Sequence, residues 1–213
     1  MKNLLLATWL LFTAVLPITL SGQCVSSSAP SGVSGTLSIC NGSTTSLTVS
    51  GGTLGTGAQW KWYTGSCGGT LIDSGAVITV SPTTTKAYWV RAEGGSCSST
   101  TACATATVTV NAVPAAPTKS IDDSTVCSGV AAGLRGYSVG NTIFWYTQSS
   151  GGSAVDSTAS HSYYWPIMDT SIVYYIEAKS SAGCVSATRT ALSVTALPVP
   201  PAPNAPTSNS PNC

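Results

Sequence analysis

The chain has 213 residues, of which only 7% are charged, and eight Lys and Arg against seven Asp and Glu leave a net charge of +1. There is no basic field to hold nucleic acid or an anionic membrane surface. A hydrophobic content of 43% excludes the composition of a disordered chain and suffices for a packed core.

Residues 1–22 read as a secretory signal peptide. Lys2 is the positive start, and Leu4 to Leu20 form an apolar run broken only by Thr8, Thr13, Pro17 and Thr19. Small Ser21 and Gly22 follow, so cleavage is expected before Gln23. The run is short for a span and Pro17 interrupts it, so no membrane insertion is expected after cleavage. Gln23 between Gly22 and Cys24 argues against lipidation. Export puts the protein outside the cell, secreted or on the cell surface. The eight Cys there read as disulfides. A metal site is not expected, because no C-x-x-C pair occurs and His161 is the only His.

The mature chain is β-rich throughout. In Gln59-Trp60-Lys61-Trp62-Tyr63, alternation sends Trp60 and Trp62 to one face and Gln59, Lys61 and Tyr63 to the other. A Trp buried mid-strand against a second sheet is the usual anchor of an immunoglobulin-like sandwich. Around it the sequence predicts strands at 46–49, 71–72, 77–80, 88–92 and 104–110, each stopped by Gly, Pro, Asp or Ser. A second series follows at 132–134, 143–146, 162–165, 173–178 and 191–195. No window has helical periodicity with a cap, so no helix is predicted.

The two series are one repeat. Ala29-Pro30, Ala116-Pro117 and Ala205-Pro206 recur, as do Cys40, Cys127 and Cys213, and Trp62-Tyr63 returns as Trp145-Tyr146. The predicted fold class is all-β, with two tandem immunoglobulin-like β-sandwich domains at 30–112 and 114–196. Residues 197–213 read as a Pro-rich linker and the start of a truncated third repeat. Trp62 and Trp145 should be buried.

Catalytic chemistry is not expected. Asp122 and Asp123 are adjacent, so on a strand they face opposite ways, and they read better as a turn. No Ser sits in G-x-S-x-G, and no cofactor motif occurs. The outward face is the candidate for ligand contact. Alternation places Tyr88, Val90 and Ala92 inward and Trp89 and Arg91 outward, so Lys61, Tyr63, Trp89 and Arg91 share a face, with Trp89 substantially exposed. That set could stack a sugar ring or a partner's side chain. The plainer reading, cross-strand packing that stiffens the sheet, is favoured. His161, Tyr163, Tyr164 and Trp165 form a second aromatic group near Pro166, with at least one of the two Tyr in the core.

Two arguments about the disulfides conflict. The second unit keeps counterparts of Cys40 and Cys97, as Cys127 and Cys184, but lacks those of Cys67 and Cys103. Joint loss suggests Cys67–Cys103 and Cys40–Cys97. Sandwich geometry puts Cys40 and Cys67 at one end and Cys97 and Cys103 at the other, about 20 Å away, beyond disulfide reach. Geometry is preferred, predicting Cys40–Cys67 and Cys97–Cys103. Cys127 and Cys184 are then left to meet neighbouring repeats, and Cys24 and Cys213 have no assigned partner.

The run Ile39-Cys40-Asn41-Gly42-Ser43, then Trp62-Tyr63-Thr64-Gly65-Ser66-Cys67-Gly68-Gly69, Ile78-Thr79-Val80-Ser81-Pro82 and Tyr88-Trp89-Val90-Arg91-Ala92-Glu93-Gly94, resembles the immunoglobulin-like repeats of large secreted Bacteroidetes-type cell-surface proteins. The resemblance covers 30–112 closely. It covers 114–196 more loosely, since Thr147-Gln148-Ser149-Ser150 replaces the Cys-bearing turn. It implies an adhesive or spacer role and brings no catalytic motif. The leading expectation is a non-enzymatic extracellular repeat segment acting as stalk or adhesion module. Its partners would be a glycan or protein on the cell surface and neighbouring repeats of the same chain. The alternative is a carbohydrate-binding accessory module of a secreted polysaccharide-active enzyme.

Overall fold

A computed structural model describes residues 24–121 and 125–200. The signal peptide, the Asp122-Asp123 turn and the third repeat start lie outside the described residues. Within them all regular structure is β-strand and none is helix.

The first module runs β1 (Gly32–Gly35), β2 (Ser38–Cys40), β3 (Thr45–Ser50), β4 (Ala58–Thr64), β5 (Thr70–Ser74), β6 (Val77–Val80), β7 (Lys86–Gly94), β8 (Ser99–Thr100) and β9 (Ala104–Asn111). One sheet has the order β1-β3-β6 and the other β2-β9-β7-β4-β5, with β8 beside β7. Strand alternation sets the core. Leu47 and Ile78 from the first sheet meet Trp60, Trp62, Tyr88, Val90 and Val108 from the second. Trp62 is 0% exposed, and its indole N–H donates to Gly75 O at 2.8 Å, so its one polar group is satisfied inside. The β4–β5 register shifts between Trp62 and Tyr63.

The second module runs β10 (Thr118–Ile121), β11 (Thr125–Cys127), β12 (Val130–Ala131), β13 (Leu134–Tyr137), β14 (Thr142–Tyr146), β15 (Asp156–Ala159), β16 (Tyr163–Tyr164), β17 (Ile167–Met168), β18 (Ile172–Lys179) and β19 (Thr190–Leu197). Its sheets are β10-β13-β16 and β11-β19-β18-β14-β15, with β12 paired to β17. Trp145 is 0% exposed, and its N–H donates to Thr158 Oγ1 at 3.0 Å. Pairing makes the modules superimposable in register. Trp62 faces Val90 as Trp145 faces Ile176, and β9 starts opposite Val90 as β19 starts opposite Ile176.

The second strand of this module is displaced from the expected 132–134 to Leu134–Tyr137. Gly136 looks like a breaker in the sequence. In the fold it lies against the core, where a Cβ would stand 2.8 Å from Ile143 Cγ2 and 3.2 Å from Ile176 Cδ1. Only a residue without a side chain lets β13 approach so closely.

The disulfides are Cys24–Cys97, Cys40–Cys184 and Cys67–Cys103, and Cys127 is also disulfide-bonded. The expected pairs Cys40–Cys67 and Cys97–Cys103 do not form. Cys103 does not stand at the end of the sandwich. Because Val90 pairs with Ala104, Cys103 comes level with Arg91, in the middle of the sheet. The β4–β5 turn folds back over that sheet, so closely that a Cβ on Gly68 would meet Arg91 Nη2 at 2.7 Å. Cys67 therefore reaches Cys103, with Cα atoms 6.0 Å apart. Cys40 points the other way. It pairs with Asn111, the last residue of β9, and so stands where the chain leaves for the second module. There it bonds Cys184 in the β18–β19 connection. Joint loss was thus the right guide for Cys67–Cys103 and the wrong one for Cys40–Cys97.

Candidate functional site

The outer face of β4 and β7 carries Lys61, Tyr63, Trp89 and Arg91 as alternation requires, but the strap of residues 65–69 lies over it. Tyr63 is only 6% exposed, and Trp89 is half-buried rather than open. The Tyr63 hydroxyl donates to Glu93 Oε1 at 2.5 Å, and Arg91 Cζ lies 5.2 Å from the Tyr63 ring centroid. Arg91 Nε donates to the same carboxylate at 2.6 Å, and Lys61 Nζ lies 3.4 Å from its other oxygen. The Tyr63 hydrogen bond, with Arg91 and Lys61 beside it, holds the Glu93 carboxyl below its ordinary range. Burial first, then Glu93, raises the Tyr63 phenol, so it stays a neutral donor. Lys61, Tyr63 and Arg91 are all tied to Glu93, leaving little for a ligand. Nothing in the sequence marked Glu93 as their hub, although its place two residues after Arg91 on one strand puts it on the same face.

The second module builds the same strap without sulfur. By register Arg189 occupies the place of Cys103, and Gln148 to Gly152 the place of the strap. Arg189 Nη1 donates to Gln148 O at 2.9 Å and to Gly151 O at 2.8 Å. Its Nε meets Glu177 Oε2 at 3.2 Å, and its Cζ sits 3.3 Å from the Tyr146 ring centroid. Tyr146 donates to Glu177 Oε1 at 3.2 Å, and burial, then Glu177, raises its phenol. One guanidinium clasps the strap, the acid and the ring.

The open aromatic surface lies elsewhere, on the sheet β10-β13-β16. Arg135 pairs across strands with Tyr163 and lies over its ring at 4.6 Å, and Tyr163 stacks on Trp165 with centroids 5.0 Å apart and planes 24° apart. Trp165 is 57% exposed and Tyr163 37%. Beside this column His161, at φ 71°, meets Tyr137 edge-on at 4.0 Å. Tyr164 turns inward against Trp145 and Tyr174, and burial, with Tyr174 beside it, pushes its phenol up to about 12. The alternation of residues 163–165 is the signal that separates the open pair from the inner Tyr.

No three His, Cys, Asp or Glu come together to hold a metal ion among the described residues. No helix there is long and apolar enough to cross a membrane.

No curated protein matches the chain. Among solved structures it is similar to murine CEACAM1b, at 15% identity over 81% of this chain and 99% of that one, with TM-score 0.43. It is also similar to a chain of the mouse coronavirus receptor-binding domain complexed with its murine receptor, at 13% identity, 78% and 100% coverage and TM-score 0.45. The chicken CNTN1 FN1-FN3 domains match at 13% identity, 78% and 67% coverage and TM-score 0.41. The model of the family described as Ig-like domain CHU_C associated matches residues 28–111 and again 114–198, and the chain belongs to that family as a tandem of two Ig-like repeats.

Proposed function

We propose that the chain is a non-enzymatic extracellular strut, a stalk or adhesion segment that holds other parts of a secreted or surface protein at a distance. The observation that carries this reading is the covalent bridge between the modules, Cys40–Cys184, added to the backbone connection from Asn111. A chain that joins two folded units twice restricts their relative motion, which is what a spacer requires. The tied-up face around Glu93 supports it, since those polar groups are spent on rigidity. Disulfides and Ig-like repeats are consistent with an extracellular protein. The test is replacement. Residues 28–198 are exchanged for an unrelated pair of Ig-like domains of equal length, and surface display and adhesion are measured. A strut survives the exchange, and loss of adhesion alone identifies an adhesion module.

The Arg135–Tyr163–Trp165 column favours one second reading, a carbohydrate-binding module, because an exposed stacked indole offers the flat apolar surface that pyranose rings cover. A glycan array run beside Trp165→Ala tests it, and equal signals from both proteins end this reading.

A further inference from the structure

Two of the three bridges described above leave the module cores and follow one rule. Cys97 lies in the β7–β9 connection and Cys184 in the β18–β19 connection, the same place in each module. Each is bonded by a cysteine that comes from the segment preceding its module's first strand or from the module before. Cys97 takes Cys24, and Cys184 takes Cys40.

From this we infer that Cys40–Cys184 is a bypass that carries tension between the modules. Tension along the chain passes from β2 straight into the β18–β19 connection, around the central strands β4, β7, β14 and β18. The purpose assigned to it rests on the strut reading, but the route itself does not. The bridge spans a sequence separation of 144 with Cα atoms 5.6 Å apart. Those residues would add roughly 500 Å of extended chain at about 3.5 Å each. Held in a closed ring, they add nothing, so unfolding a core lengthens the molecule only by the strands outside the ring, chiefly β1 in the first module and β19 in the second. The chain ahead of the bridge is already laid out as strand, since β1 pairs with β3 and β2 runs parallel to β9. Asn111 ties the end of this route, donating from Nδ2 to Ser38 Oγ at 2.9 Å and to Ile39 O at 3.1 Å.

Single-molecule stretching of the secreted chain between terminal handles tests the route. Cys127→Ser and Cys213→Ser are introduced first, so that only the three bridges described here act. The parent should then stretch to about 45 residues of free chain between Cys24 and Cys213, roughly 160 Å at full extension. Adding Cys40→Ser and Cys184→Ser opens the route from Cys97 onward, about 116 residues or roughly 400 Å, a lengthening of about 2.5-fold. Equal extension of the two proteins overturns the inference. Should the added substitutions prevent folding, reductant applied to the stretched parent serves instead. It should lengthen the chain from roughly 160 Å to roughly 660 Å, and a parent that already reaches roughly 400 Å before reduction overturns the inference. Failure of the domain-exchange test leaves this result unchanged, so the two readings fall separately.

Discussion

Arg189 replaces a disulfide, and its removal measures what that replacement contributes. In Arg189→Ala the second module loses two hydrogen bonds to the strap, at 2.8 and 2.9 Å, and the cation over Tyr146. It also leaves Glu177 without its ion partner, in a setting where the two side chains are 9% and 16% exposed. Removing one partner of a buried pair costs about 3–5 kcal/mol. Glu177 keeps the Tyr146 hydroxyl and some water, so the low end, about 3 kcal/mol, is expected. For a module of this size that lowers the melting temperature by roughly 12–24 °C. Urea unfolding followed by tryptophan fluorescence, with calorimetry, reads both numbers. The complementary change is Ser150→Cys with Arg189→Cys, the positions that register with Cys67 and Cys103. It should form a bridge by mass spectrometry and recover much of the loss, since closing such a loop contributes about 4 kcal/mol in the chain-entropy account. A cost below about 1 kcal/mol for Arg189→Ala, or failure of the double variant to cross-link, refutes the equivalence of the two clasps.

Trp62→Ala and Trp145→Ala should each destabilise their own module by about 3–5 kcal/mol in urea titrations, because each empties the centre of a core. Gly136→Ala should cost about 1–3 kcal/mol by the same assay, since its methyl would press on Ile143 and Ile176, while Gly32→Ala, with nothing near its Cβ and no left-handed backbone, serves as the contrast for crowding. The Tyr164 phenol is raised to about 12 from 10, so folding favours its neutral form. That contribution is complete below pH 10 and disappears as pH climbs from 10 to 12, and Tyr164→Phe should flatten that part of the alkaline unfolding profile. Glu93 is shifted the other way. Its stabilisation is present above the ordinary carboxylate range and is lost as pH falls through its lowered value, so Glu93→Gln should weaken the acid dependence of the first module's unfolding midpoint.

What the sequence shows most clearly is the interior. Trp60, Trp62, Val90 and Trp145 carry a period of two that can be read without coordinates, and both cores stand where it puts them. Edge strands were harder. β15 is Asp-Ser-Thr-Ala and β11 is Thr-Val-Cys, too polar or short to alternate, and both exist because a neighbouring strand offers them hydrogen bonds. The face of Lys61, Tyr63, Trp89 and Arg91 was legible as a set. Its closure was not, because the strap that covers it depends on how far the Ser66–Gly69 turn folds back, a tertiary matter. The bridge from Cys40 to Cys184 was beyond reach for a similar reason. Pairing rules inside one sandwich say nothing of which loops two sandwiches bring together.

The unlike clasps also bear on how the chain finds its oxidised form. Eight thiols can pair in 105 ways. Had the second module kept cysteines at Ser150 and Arg189, ten thiols would allow roughly nine times as many. The strap cysteines of one repeat would then face identical rivals in the next, at high local concentration, while the chain is still emerging. Neighbouring repeats are prone to that kind of cross-assembly. A guanidinium cannot be captured by the wrong sulfur, so the second strap closes by hydrogen bonds alone and takes no part in the sorting of thiols.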